Sequence, residues 1–432
     1  ILYIKNFIKS KLIKKYGGKT MIKKIGMLIT VLLFTILSCG GVKSGENTGK
    51  TKELTFLIWD RGQEPGMSAI AREFEKENPE IKIKVEVVGW DEYWTKLEAA
   101  ATGGVLPDIF WMHSSQFYDY ASNGMLMEVD SKIDNGFEHF PKDLVTLYQL
   151  NGKQYAIPKD FDTIAVFYNK ELFDKAGVPY PDGTWDWEKY LDVARKLTKD
   201  GVYGTAAPLN VQEGFWNTMY QNDGYVIKDG KSGYDNPNSI EAIQWWIDLS
   251  LKEKVSPTQK EFDEITPFTA FSSGKVAMVQ LGAWMIAPIE ENAEFSKKVG
   301  IAALPKGKKQ ASIYNGLGYS ASAKTKYPEE VKKFLEFLST EKANLIQAEK
   351  VAAIPAYNGT QQAWIEHNKD MDLKVFVDQL QYGVIFPTSP HGSKWRAWEN
   401  ELFAPAFSGS ADLKTTLNEY AKRMNKMIDE EK

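Results

Sequence analysis

The sequence predicts an α/β protein, and two observations carry that class. Between Leu54 and Met112, strand and helix patterns alternate, the order of a mostly parallel sheet with right-handed crossovers. In the run YAIPKDFDTIAVFYNKELFDK, Tyr155–Lys175, the part up to Tyr168 is extended with a polar break at Asp160-Phe161-Asp162 in its middle. From this run alone, an ordinary strand–turn–strand fits as well as a chain crossing between two lobes with the two carboxylates facing the gap. The length of 432 residues leaves room for two or three domains.

The first segment reads as targeting rather than fold. Residues 1–20 begin with Ile and read as a non-native extension of upstream sequence. From Met21, Lys23 and Lys24 make a charged start, and Met27–Leu37 is an apolar stretch too short to span a bilayer comfortably. Ile36-Leu37-Ser38-Cys39 then resembles a bacterial lipobox, so residues 21–38 read as a lipoprotein signal peptide and Cys39 as the lipidated residue. Cys39 is the sole cysteine, which rules out an internal disulfide. Residues 39–52 read as a flexible tether.

The elements follow in order. Leu54–Ile58 is a strand, and Met67–Glu77 a helix with Ile70 and Phe74 on one face. Ile81, Ile83, Val85 and Val87 alternate with charged residues as a half-buried strand. Asp91 is placed to cap a helix from Glu92 to Ala101, ended by Gly103-Gly104, and Pro107–Met112 is the next strand. Pro158 keeps Ile157 extended, and Thr163–Tyr168, β-branched and aromatic without a breaker, is one buried strand. Asn169 caps a helix to Ala176 that stops at Gly177. Thr184 or Asp186 caps a helix through Leu197, Val211–Asn222 reads as one aromatic helix, and Ser239–Leu251 as another. Val299–Pro305 is a strand running into a turn, and Pro328–Ser339 a helix. Helices over about Leu373–Gly383 and Leu413–Glu430 end the chain.

Several of these stretches resemble one family. The run from Tyr155 through TWDWEKYLDVARKLT, the segment Gly104-Val105-Leu106-Pro107-Asp108-Ile109, Thr269–Gln280 with GKVAM, Leu281-Gly282-Ala283-Trp284, the Gly-rich Ser312–Ser322 and Ile354-Pro355-Ala356 together resemble the family 1 extracellular solute-binding proteins, which serve ATP-binding-cassette importers, mostly of sugars. The resemblance implies a two-lobed, periplasmic-binding-protein-like fold of type II, with three crossings and a ligand cleft between the lobes. The first lobe would hold 53–159 and 318–365, and the second 163–312 and 370–432. The crossings would lie at the DFD break, at Ser312–Ser322 and near Trp364–Asp370.

Composition narrows the partner. The chain carries −4 overall, and residues 1–38 hold eight Lys and no Arg, Asp or Glu, so the remainder carries −12. An acidic body argues against nucleic acid and against an anionic membrane surface as partners. The resemblance implies a monomer that docks on a membrane permease. The chain has four His, none in a zinc-protease pattern, and no nucleophile elbow or phosphate loop, so no metal, cofactor or catalytic residue is assigned.

Binding asks for other groups. A sugar offers apolar C–H faces to aromatic rings and hydroxyls to planar acceptors and donors, and α/β sheets hold ligands at strand ends and crossings. By that rule the candidates are Asp60, Arg61 and Glu64 after the first strand, Trp90 before a helix and His113 after the third strand. Asp160 and Asp162 lie on the first crossing, Trp216 and Tyr220 on the aromatic helix, Gly282 and Trp284 after an apolar strand, and Asn315 and Gly316 on the second crossing. In the resembling family these places supply sugar contacts. Trp185, Trp187, Trp245 and Trp246 read as core or surface, while Trp395 and Arg396 in HGSKWRAW have a route to the cleft. A set rich in carboxylate and Trp favours a neutral, polyhydroxylated ligand, a di- or oligosaccharide. The rivals are a binding protein for a non-sugar polar solute and a surface carbohydrate-active enzyme.

Overall fold

The computed structural model describes residues 51–129, 137–350 and 353–430. The targeting segment, Cys39 and nearly all of the tether lie outside these described residues. From Thr51 onward the described chain builds one compact unit around two five-stranded sheets.

The first sheet contains β1 (Lys52–Ile58), β2 (Ile81–Val87), β3 (Ile109–Met112), β4 (Ile157–Pro158) and β9 (Gly318–Ala321). Its order is β2-β1-β3-β9-β4. The β1–β2 and β1–β3 pairs are parallel, as the alternating order requires, whereas β9 runs antiparallel to both β3 and β4. The returning chain therefore makes this sheet mixed.

The second sheet is built on β5 (Asp162–Asn169), buried along nearly its whole length. Its partners are β6 (Met278–Gly282), β7 (Val299–Ala302) and β8 (Ser312–Asn315), all antiparallel, and β8 pairs in parallel with β10 (Gly383–Ile385). A strand buried on both faces needs a continuous apolar run, which TIAVFY supplies.

Two crossings join the sheets within a few residues of each other. The chain leaves β4 at Pro158 and enters β5 at Asp162, then leaves β8 at Asn315 and enters β9 at Gly318. At Gly316 the crossings touch: a Cβ there would stand 2.2 Å from the Asp160 carbonyl oxygen, so only glycine fits.

Three helices start or break where the sequence pattern did not place them. The first helix, α1, runs Glu64–Glu77, three residues earlier than Met67, because Pro65 is preset for a first helical turn. The second, α2, runs Trp90–Gly103, and its N-cap is Gly89 rather than Asp91, which sits in the first turn beside the positive helix end. Helix α3 (Ser114–Ser122) follows β3 directly. The expected helix over Val211–Asn222 is broken: Val211–Phe215 forms a wide turn with Gly214 at φ −131° and ψ −123°, and only α4 (Trp216–Gln221) continues as α-helix. Residues 379–382 are a 3-10 turn leading into β10, so the expected Leu373–Gly383 helix ends as a strand. The second lobe closes with α5 (Gly392–Phe407) and α6 (Leu413–Glu430).

Candidate functional site

Between the sheets lies a cavity of about 620 Å³. It opens at the ends of β1 and β6 and at the first crossing, where an α/β sheet leaves backbone and side chains free of strand pairing.

The first-lobe wall is aromatic. Trp59, directly after β1, packs edge-on against Trp90 at 5.1 Å, Tyr93 at 4.9 Å and Trp111 at 5.1 Å. Trp59 and Trp90 both line the cavity, and Trp90 is 45% exposed, unusual for so large an apolar ring. His113 lines it too, as the N-cap of α3: Nδ1 accepts the Ser115 backbone N–H at 3.1 Å, and Nε2 lies 2.8 Å from the Asn315 amide. Burial, and then the positive charge of Arg396, hold the imidazole down to about 3, so His113 is neutral.

A chain of polar contacts runs beneath this wall. Asp60 accepts from the Gly62 N–H and from Gln63 Nε2, both at 2.8 Å, and Gln63 Oε1 accepts from Lys159 Nζ at 2.7 Å. Lys159, fully buried, pairs with Asp160 and stands 4.3 Å from the Trp111 ring centre. The other Asp160 oxygen accepts the Leu317 N–H at 2.7 Å, which ties the first crossing to the second. Asp160 touches the cavity, but its oxygens are committed to the hinge. Asp162 is different: its side chain accepts from Gln212 Nε2 at 3.0 Å. Burial, and then the Asp160 carboxylate, push Asp162 well above the usual carboxylate range, while the Asn315 N–H pulls it back.

The second-lobe wall comes from β6 and from the broken helix. After Gly282 the chain makes a 3-10 turn, Ala283–Met285, which aims a half-buried Trp284 into the cavity. Gly282 sits at φ −87°, so its lack of a side chain serves close approach: a Cβ would stand 1.9 Å from the Trp284 ring. At the break, Asn210 accepts the Glu213 N–H at 3.0 Å and donates to the Glu213 carboxylate at 2.9 Å. The carbonyls freed at Gln212 and Gly214 are met by Asn217 Nδ2 at 2.7 and 3.1 Å. The break thereby turns Gln212 and Glu213 into the cavity without leaving buried carbonyls unpaired. Burial pushes Glu213 up to about 7 against the Gly282 N–H and the Asn210 amide, which favour its charged form.

That shift has a sign that can be tested. A carboxyl raised in the folded state keeps its proton after the unfolded chain has lost it, so its contribution is complete below about 4.5 and is lost as pH rises to about 7. Glu399, also raised to about 7 by burial, adds a slope of the same sign. In urea unfolding of the ligand-free protein from pH 4.5 to 8, the two carboxyls are expected to pull stability down with rising pH, against His113, whose lowered value pulls it up below about 6.5. Glu213→Gln should remove part of the downward pull, and an identical slope in the variant would refute the assignment.

The remaining candidates lie elsewhere. Arg61 is exposed at the rim of the cavity. Glu64 accepts from the Ser68 hydroxyl in the first turn of α1, outside the lining. Trp216 is fully buried and its indole N–H donates to the Tyr234 hydroxyl at 2.7 Å; it stands behind Phe386, ring centres 5.1 Å apart. A period-3.6 pattern does not say which aromatic faces the lobe's own core. Tyr220 accepts from the Val226 N–H and lines a second cavity of about 530 Å³, on the other side of Phe386. Asn315 and Gly316 stand just behind the site: Asn315 holds His113 and Ser114, and the Gly316 carbonyl accepts from the Tyr148 hydroxyl at 2.7 Å. Trp395 is buried and donates to Ser389, while its neighbour Arg396 lines the cavity. Gln63, Asn210, Gln212, Glu213, Leu317 and Phe386 were not singled out as candidates. Asn210, a good cap one residue before the aromatic helix and four before Gly214, was the available signal for three of them.

Among the described residues there is no group of three or more His, Cys, Asp or Glu arranged to hold a metal, and no helix long and apolar enough to cross a membrane.

The fold and sequence have known counterparts. An arabinooligosaccharide-binding protein of Bacillus subtilis is 26% identical over 331 residues, 74% of this chain and 75% of that protein. A maltooligosaccharide ABC transporter solute-binding lipoprotein of Streptococcus pneumoniae is 26% identical over 424 residues, 92% of this chain and 95% of that protein. An ABC substrate-binding protein of Listeria monocytogenes, solved in complex with cycloalternan, superposes with a TM-score of 0.80 at 25% identity, covering 88% of this chain and 99% of that one. The family model for bacterial extracellular solute-binding proteins matches residues 61–345, and the chain belongs to that family.

Proposed function

We propose that this protein captures a carbohydrate of disaccharide length or longer in the interlobe cavity and delivers it to an ABC permease. The observation that carries the reading is the lining itself. Three indoles, Trp59, Trp90 and Trp284, come from two lobes, and planar polar groups at Asp60, Asp162, Gln212 and Glu213 stand between them. Rings cover the apolar faces of a pyranose, and carboxyl and amide groups take its hydroxyls. The volume falls in the roughly 300–1,000 Å³ of small-molecule sites. The named ligands of the relatives, arabinooligosaccharide and maltooligosaccharide, are of the same class.

Because the walls belong to different lobes, a ligand touching both favours the closed arrangement by its differential affinity. A thermal-shift screen of a saccharide library is expected to give hits. Small-angle scattering with a hit should show a smaller radius of gyration than without it. A library without one hit would refute the carbohydrate reading, and an unchanged radius with binding confirmed by calorimetry would refute closure. The protein has no catalytic role in this reading, so a labelled oligosaccharide should be recovered intact.

Lipidation of Cys39 completes the reading by holding the protein at the outer face of the cell membrane, with the polar tether leaving it free to dock. It rests on the apolar run and lipobox-like residues before Cys39 and on the lipoprotein among the relatives. Cys39→Ala should move the protein from membrane to medium or leave it uncleaved. A cleaved variant still retained by the membrane would refute the anchor.

A further inference from the structure

Arg396 is the buried cation among the residues that line the cavity. It lies one turn into α5 and lines the site, with the guanidinium carbon 5.0 Å from the centre of the Phe386 ring. Its Nε and Nη1 are buried and have no hydrogen-bond partner among the described residues. A buried guanidinium with open donors is costly, because both the N–H groups and the charge have left water.

Among the described residues no group pairs directly with Arg396, although the charge of Glu399 favours it from a distance. Glu399, one turn further along α5, is taken up by the Tyr234 hydroxyl and by Tyr420, and burial drives it toward its neutral form. His113, facing from the first lobe, is held neutral by burial and by the charge of Arg396 itself. Lys159 answers Asp160, while Asp60, whose oxygens are taken by the Gly62 N–H and Gln63, stands next to Arg61 at the rim. Asp162 and Glu213 are held toward the protonated form by burial. Arg396 is left a buried cation with two unmet donors and no ion-pair partner among the described residues.

A saccharide hydroxyl would satisfy an N–H of Arg396 but would leave the charge unanswered. A carboxylate satisfies both, and its two oxygens match the planar guanidinium fork. One unpaired cation calls for a monoanion; a phosphate ester near its second charge would leave an excess facing Asp162 and Glu213.

Resting on the carbohydrate reading above, we propose that the ligand is an acidic saccharide, with one uronate-type carboxylate received by the Arg396 guanidinium. The indoles and the carboxyl and amide groups of the rest of the lining then hold the remainder of the sugar.

Titration calorimetry tests this with di- and trigalacturonate and a glucuronosyl disaccharide, each beside its methyl ester, and with neutral maltotriose and arabinotriose. The expected result is that an acid binds and its ester binds about 30-fold more weakly or worse, the scale of removing one partner from a buried charge pair. Arg396→Gln should bring acid and ester to equal affinity while urea unfolding shows no loss of stability, because an unpaired buried charge has been removed. If that variant does not fold, the comparison of acid with ester in the unaltered protein decides alone. Equal affinity for acid and ester, or binding of neutral sugars only, would overturn the role of Arg396 and leave the carbohydrate reading intact. Failure of every saccharide to bind would overturn both.

Discussion

Replacing Trp284 by Ala is expected to weaken saccharide binding by about 5- to 150-fold, which is roughly 1–3 kcal/mol of lost apolar contact. The ring is half-buried, lies against the bare backbone of Gly282 at the margin of the second-lobe core, and lines the cavity. Its removal therefore exposes a ligand face more than it empties a core. Stability should fall by much less than the ~3–5 kcal/mol expected for emptying a fully buried aromatic site. Trp216, fully buried and hydrogen-bonded to Tyr234, is the natural control, because Trp216→Ala should show that full cost. Calorimetry and denaturant unfolding on both variants separate the two roles. Unaltered affinity with a large stability loss in Trp284→Ala would mean that this indole packs and does not bind.

Asp160→Ala is expected to cost about 3–5 kcal/mol of stability, the usual penalty for stranding one partner of a buried ion pair. Among the described residues Lys159, fully buried, would keep Gln63 and the Trp111 ring as partners, and the Leu317 N–H would lose its acceptor. The two crossings meet through these bonds, so the damage should fall on the joint between lobes. Exchanging both members, Lys159→Met with Asp160→Leu, should recover much of the loss, since an apolar pair of similar bulk leaves no buried charge unpaired. Urea unfolding measures both variants. A loss below about 1 kcal/mol for Asp160→Ala, or a double exchange worse than the single one, would show that the pair does not hold the hinge.

The same two carboxylates show how far the sequence reaches. A spacing of two on an extended run puts both on one face unless Phe161 bulges, and in the structure Asp160, Phe161 and Asp162 all line the cavity. Nothing in the spacing said that Asp160 would be committed to Lys159 and Leu317 while Asp162 met Gln212. Those partners lie up to 157 residues away along the chain.

By itself the sequence determined the class of the fold, the buried strand Asp162–Asn169 to within a residue at each end, its Asn169 and Gly177 caps, and several of the stretches that line the cavity. These are set by local properties: β-branched runs, capping side chains and residues that end helices. The tertiary structure decided which members of each stretch face the gap. Trp216 turned to the core and Trp284 to the cavity, Gly214 broke a helix so that Glu213 could enter, and Arg396 arrived from a helix the pattern did not mark. Those choices depend on packing between segments far apart in the chain. A hydrophobic period records that a residue has an inside face, but not which inside it is.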